Sequence, residues 1–193
     1  MPHKQTQTEW EQAMARRVME QIRGELYLDQ RYLNAALGAL PPAPLNSAQT
    51  AFATDGAHLY YPPGWVLELY RKNRRYLPRA WLHSLLHCIL RHPWLRDRRD
   101  PDLWGLACDI AVENVLDSLH TAATERPVGW VRQQTYARLR AQGGFLAAGP
   151  IYQALAGSSA AEREALRAEF FCDSHRLWPA DPDSPAAQVQ GRQ

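Results

Sequence analysis

The sequence predicts a mainly α domain, α+β in class, with a short β-hairpin ahead of its central helices. Apolar residues recur at helical spacing through most of the chain, an Asp-Gly pair lies between two β-prone arms, and prolines stand where helices should start or stop. At 193 residues, with 46% apolar and 10% aromatic side chains, the chain can bury one substantial core.

From about Glu9 to Leu40, the residues Met14, Val18, Ile22, Leu26, Leu33 and Leu37 mark one helix or a broken pair, which Pro41-Pro42 stops. A Pro- and Ala-containing connector, Pro41 to Gln49, follows. Phe52 to Tyr61 then reads as a hairpin turning at Asp55-Gly56. Pro62-Pro63 opens a helix through Trp65, Leu67, Leu69 and Tyr70. Pro78 sits at the start of the next, whose body is Ala80 to Arg91 and whose end is set by His92-Pro93, because the residue before a proline is pushed out of the α region. After a charged loop, Arg96 to Asp102, a helix from Leu103 to about Leu119 is apolar nearly all round and should be central. Further helices are expected near Val131 to Arg140 and Ala160 to Phe171, with breaks at Gly143-Gly144 and Gly149-Pro150 between them. Residues 1–178 are expected to form the domain, and the Pro- and Gln-containing stretch 179–193 a linker-like or disordered tail.

Charge and composition exclude several function classes. The 22 basic and 20 acidic residues are interleaved, giving a formal charge of +2, so no nucleic-acid partner is expected; the run Arg71 to Arg75 reads as a solvated helix end. Cys88, Cys108 and Cys172 are too scattered for a disulfide framework and suit free thiols in a reducing compartment. The first ten residues are polar, and no apolar run approaches the ~20 residues of a membrane span. A soluble cytoplasmic protein with no membrane partner is expected.

The chemistry centres on His83-Ser84-Leu85-Leu86-His87. Two histidines at i and i+4 share one face of a helix and can close on a single ion, while Leu82, Leu85, Leu86, Ile89 and Leu90 bury the adjacent arc. Zinc takes a third protein ligand, and Asp109 is the best candidate, because an unpaired carboxylate amid Leu106, Ile110, Val112 and Leu116 would be costly to bury. Glu113, one turn on, shares that face, so that both carboxylates could look into one site, one as ligand and the other as second shell or base. A salt bridge from Asp109 to Arg91 or Arg96 is the competing explanation. His92 reaches the ion only if the chain turns at Pro93, and His175 could enter from the far end of the chain; His58 and His120 read as surface or capping residues.

These residues fall in an order that resembles a known family. Asp55-Gly56 with Tyr60-Tyr61, the His83 to His87 helix with His92-Pro93, Arg99-Asp100-Pro101, Trp104 with Ala107 and Asp109, Asn114, and Asp173-Ser174-His175-Arg176-Leu177-Trp178 are similar to the motifs of the bacterial zincin-like metallopeptidase domain associated with a von Willebrand A-like domain. The resemblance implies a zincin-like helical fold, zinc on His83, His87 and Asp109, and a pocket to which His92, Asp173 and His175 contribute as second-shell or substrate-binding groups. It also implies a von Willebrand A-like domain and an AAA-type ATPase as company, with a peptide or protein as ligand.

Ser84 is the departure. It stands where the family carries the Glu that takes the proton of metal-bound water, and a hydroxyl cannot hold that proton at neutral pH; loss of a positioned base typically costs ~10²–10⁴ in rate. The expectation is therefore a zinc-binding, metallopeptidase-like binding or regulatory module with impaired or no hydrolysis, a pseudoenzyme. The alternative is an active zinc peptidase with Glu113 as substitute base.

Overall fold

The structure is a computed structural model that describes residues 6–179 apart from Ser47. The expected tail, 179–193, therefore lies outside the described residues except for Pro179.

Helix α1 (Gln7–Asp29) opens on a capping box: the Thr6 hydroxyl accepts from the Glu9 amide and the Glu9 carboxylate accepts from the Thr6 amide. It ends at Asp29, and after a 3-10 turn (Arg31–Leu33) α2 (Asn34–Ala39) completes the broken pair. The connector holds an element that the sequence did not signal. Strand β1 (Pro42–Pro44) runs parallel to β3 (Leu59–Tyr61), which pairs antiparallel with β2 (Phe52–Thr54) in the expected hairpin. At the hairpin turn Asp55 accepts from the amides of Ala57 and His58 and from the Tyr60 hydroxyl. Gly56 has φ +89°, and a Cβ there would fall on the Trp94 ring.

Helices α3 (Pro63–Asn73) and α4 (Tyr76–Ile89) follow. The latter ends two residues earlier than expected, because Arg91 takes a left-handed conformation (φ 60°) that turns the chain before His92–Trp94 forms a 3-10 turn. Helix α5 (Pro101–Ser118) is capped by Asp100, whose carboxylate accepts from the Leu103 amide, with Pro101 at its first position. Helices α6 (Trp130–Gly143), α7 (Ala148–Ala156) and α8 (Ala160–Phe170) complete the helical part. Gly149-Pro150, read from sequence as a break, lies in the first turn of α7, where proline's missing donor is not needed. A two-residue strand, β4 (Asp173–Ser174), then pairs parallel with β2 and gives the sheet order β1-β3-β2-β4. Together the described elements are mainly helical with a small four-stranded sheet, as the sequence predicts.

Two hydrophobic cores share α5. One joins α1, α2, the hairpin, α3 and α4 to Val112 and Leu116. The other packs Leu103, Ala107, Ile110 and Ala111 of α5 against α6, α7, α8 and Trp178. Side chains that face the seam come from both halves, and the polar residues buried there form the site.

Candidate metal centre

Helices α4 and α5 run antiparallel, so residues spaced by four on one meet residues spaced by four on the other. Arg79, His83 and His87 of α4 face Asp117, Glu113 and Asp109 of α5 in that order. All six side chains lie at 11% exposure or less, so each must find a partner or bear the cost of burial.

The two imidazoles turn their Nε2 atoms toward one point. These nitrogens are 2.9 Å apart, and each is 3.3 Å from Asp109 Oδ1. Asp173 closes the group from β4, with Oδ1 at 3.7 Å from His83 Nε2 and 3.9 Å from His87 Nε2. His175 Nε2 lies 3.0 Å from both Asp109 Oδ1 and Asp173 Oδ1. Pairing β4 with β2 is what brings this late segment in, since Phe52 opposes Asp173 in the register.

The donor set fits a divalent metal ion. His83, His87, Asp109 and Asp173 offer two imidazole nitrogens and two carboxylate oxygens, all buried and within 4.8 Å of one another. Ligand atoms around a tetrahedral ion bound at 2.0–2.1 Å stand roughly 3.3 Å apart, close to the spacing found here. The buried Asp173 Oδ1 and His175 Nε2 face the group and stand 3.0 Å apart without an aligned hydrogen bond. An ion held by the cluster would satisfy such atoms.

The surrounding groups orient this set. Glu113 does not face the cluster: its Oε1 lies 2.8 Å from His83 Nδ1, on the far side of the ring, and Oε2 accepts from Arg79 and Arg126 at 2.7 and 2.6 Å and from Arg132. A proton on Nδ1 shared with Glu113 leaves the Nε2 lone pair free for the cluster. Burial alone would raise the Glu113 pKa, but the His83 hydrogen bond and the Arg79 and Arg132 charges outweigh it and hold the carboxyl well below its usual range. Asp109 is likewise pushed up by burial and brought well below normal by the nearby His175 charge and by hydrogen bonds from His83 and His87. Arg91 and Arg96 take no part, so the competing salt bridge to Asp109 is not formed.

Ser84 is fully buried, and its hydroxyl donates to Asp173 Oδ2 at 2.6 Å, leaving Oδ1 toward the cluster. His92 meets the back of the pair: its Nδ1 is 3.0 Å from His87 Nδ1, a position reached through the turn at Arg91. The Trp104 indole N–H donates to the His92 carbonyl at 3.1 Å and fixes that turn. His175 stacks on Trp178 with ring centroids 3.8 Å apart. His58 and His120 are exposed and distant from this arrangement, as expected.

A family model described as "Putative metallopeptidase domain" matches residues 5–176. The chain belongs to that family. No curated protein and no solved structure matches the chain. The metallopeptidase domain accordingly extends over both cores and includes β4 and His175, the late elements that complete the cluster.

Some residues around the candidate site of this metallopeptidase domain had no reading from sequence. Arg79 lies one turn before His83 on the same face, a spacing that could have marked it; Arg132 comes from a separate helix and had no such signal. Gly105 lies one turn before Asp109 among the apolar Leu103, Trp104, Leu106 and Ala107, a position that marks close approach. A Cβ on Gly105 would stand 2.6 Å from His175 Nδ1. Gly105→Ala is therefore expected to displace the His175 ring from its stack on Trp178 while leaving the melting temperature within a few degrees, because a surface-reaching side chain can move. The His175 imidazole resonances in an ¹H–¹⁵N spectrum report this, and unchanged resonances would refute it.

Proposed function

We propose that this domain holds one zinc ion on His83, His87 and Asp109, with Asp173 and His175 completing the pocket, and that it works as a ligand-binding or regulatory module with impaired peptidase activity. The observation that carries this reading is a donor cluster in which each nearby carboxylate of the described residues is already engaged: Asp109 by His83 and His87, Asp173 by Ser84 and His175, and Glu113 by His83 and three arginines. When bound, zinc supplies Lewis acidity and lowers the pKa of a bound water toward about 7.

The protein's own groups support binding better than turnover. Ser84 is a hydrogen-bond donor committed to Asp173, so it holds no proton for a leaving group. Glu113, the substitute base considered from sequence, is turned away from the cluster and shared among His83 and three arginines. The positions of Asp109 and Asp173 support a role in holding an ion, and that of Glu113 a role in fixing the His83 tautomer. A von Willebrand A-like domain and an AAA-type ATPase are proposed as functional company on the strength of the motif resemblance.

The test is direct. Protein purified without added metal should contain one zinc per chain and hydrolyse a mixed peptide library at a rate at least 100-fold below that of its Ser84→Glu variant. Equal inactivity of both forms with zinc present would show that more than the base is lost. Wild-type cleavage as fast as that of the variant would overturn the reading.

A further inference from the structure

The metal cluster lies at the floor of a cleft of about 450 Å³, of which Asp109 and Asp173 form part of the lining. Three arginines from three separate segments also line it: Arg96 from the loop before α5, Arg167 from the last turn of α8, and Arg176 from the 3-10 turn after β4. The sole acid on the walls is Asp102, in the first turn of α5. Arg167 is placed 3.3 Å from Glu164, an exposed i−3 pair of little energetic weight. Among the described residues no carboxylate lies within 4 Å of the Arg96 or Arg176 guanidinium, and neither makes a side-chain hydrogen bond, although Arg96 is half-buried.

Guanidinium groups that line a cleft without a carboxylate partner keep their donors available to a ligand. The two floor carboxylates are neutralised by a divalent ion, so the wall charge decides what enters, and three cations against one anion favour a negative guest. A concave site with low-dielectric walls focuses that field. The planar guanidinium fork matches a carboxylate with two parallel hydrogen bonds. Phe171 and Trp178 supply apolar surface in the same cleft, which suits a peptide chain more than a free inorganic anion.

We propose that this cleft recognises a carboxylate-bearing peptide, with Arg96 and Arg176 as the residues that read the negative charge. This rests on the proposed function for the ion at the floor, which offsets the charge of Asp109 and Asp173; the pairing of a guanidinium with a carboxylate does not itself need the ion. The carboxylate comes from acidic side chains or from a peptide C-terminus, and both are tested.

The experiment is calorimetric titration of the full chain, with and without zinc, at low and at physiological salt. Three hexapeptides serve as probes: Glu₆ with both ends blocked, Gln₆ with both ends blocked, and Gln₆ with a free C-terminal carboxylate. Blocked Glu₆ or free-ended Gln₆ should bind at least tenfold more tightly than blocked Gln₆, and whichever does so identifies the carboxylate source. Arg96→Gln/Arg176→Gln should abolish that preference without changing the zinc content, and salt should weaken it. Equal binding of all three peptides to zinc-loaded wild type, or a preference unaltered in the double variant, overturns the proposal and leaves the metal centre standing. A chain that takes up no zinc but keeps an arginine-dependent preference removes the metal reading and leaves this one.

Discussion

Replacing His87 by alanine is expected to abolish retention of the proposed zinc, with elemental analysis giving one zinc per chain for wild type and under a tenth of that for the variant. His87 is the better probe of the histidine pair. It gives one of the two Nε2 atoms at 2.9 Å but does not touch Glu113 or its arginines, so the fold around it should persist. His83→Ala should lose the metal too, with an added stability cost from the Glu113 network. A ligand that binds only the folded chain stabilises it by about 2.7 kcal/mol at 100 times its Kd. For a domain of this size that corresponds to a rise of roughly 5–10 °C in the melting temperature. Zinc added to the metal-free wild type should give that rise, and His87→Ala should give none. Wild type that contains no zinc and shows no shift on its addition would sink the metal reading altogether.

Glu113→Leu should destabilise the fold by roughly 3–5 kcal/mol, because it removes a buried anion that three guanidinium groups and one imidazole share. Arg79 and Arg132 are nearly as buried as Glu113 itself, and Asp117 alone remains close to both of them. The measurement is chemical denaturation of the metal-free protein, so that loss of an ion is not counted as loss of packing. In the presence of metal, Glu113→Gln is the informative partner. It keeps the shape and frees the His83 ring from its charged anchor, and a 10–100-fold loss of zinc affinity is expected for removing such a support. A Leu variant within about 1 kcal/mol of wild type would mean that the arginines find other partners and that the network has no structural weight.

How much of this was legible in the sequence depends on the range of each signal. The His83–His87 pair and Asp109 could be read because each is marked within its own helix, by i,i+4 spacing or by a carboxylate in an apolar stretch. Whether Asp109 or Glu113 faces the pair was not readable, since a shift of one turn between antiparallel helices exchanges them. The observed register gives Nε2 to Asp109 and Nδ1 to Glu113. Strands β1 and β4, of three and two residues, are too short to display alternation, and their existence depends on neighbours far along the chain. Helix α7 was hidden by Gly149-Pro150, a pair that marks a loop in most contexts but is compatible with a first turn. The turn at Arg91, which presents His92 to His87, has no glycine or asparagine to announce it.

The shared helix α5 has a consequence for how the protein comes apart. Its two ends belong to different cores, and the second half is stitched back to the first at β4, which pairs with β2 and carries Asp173 to the histidines of α4. An ion bound there, as proposed, would act as a rivet on a two-residue strand that pairing alone holds weakly. Stripping it with a chelator should turn one sharp unfolding transition into two, with the half that contains α6, α7 and α8 free to fray on its own.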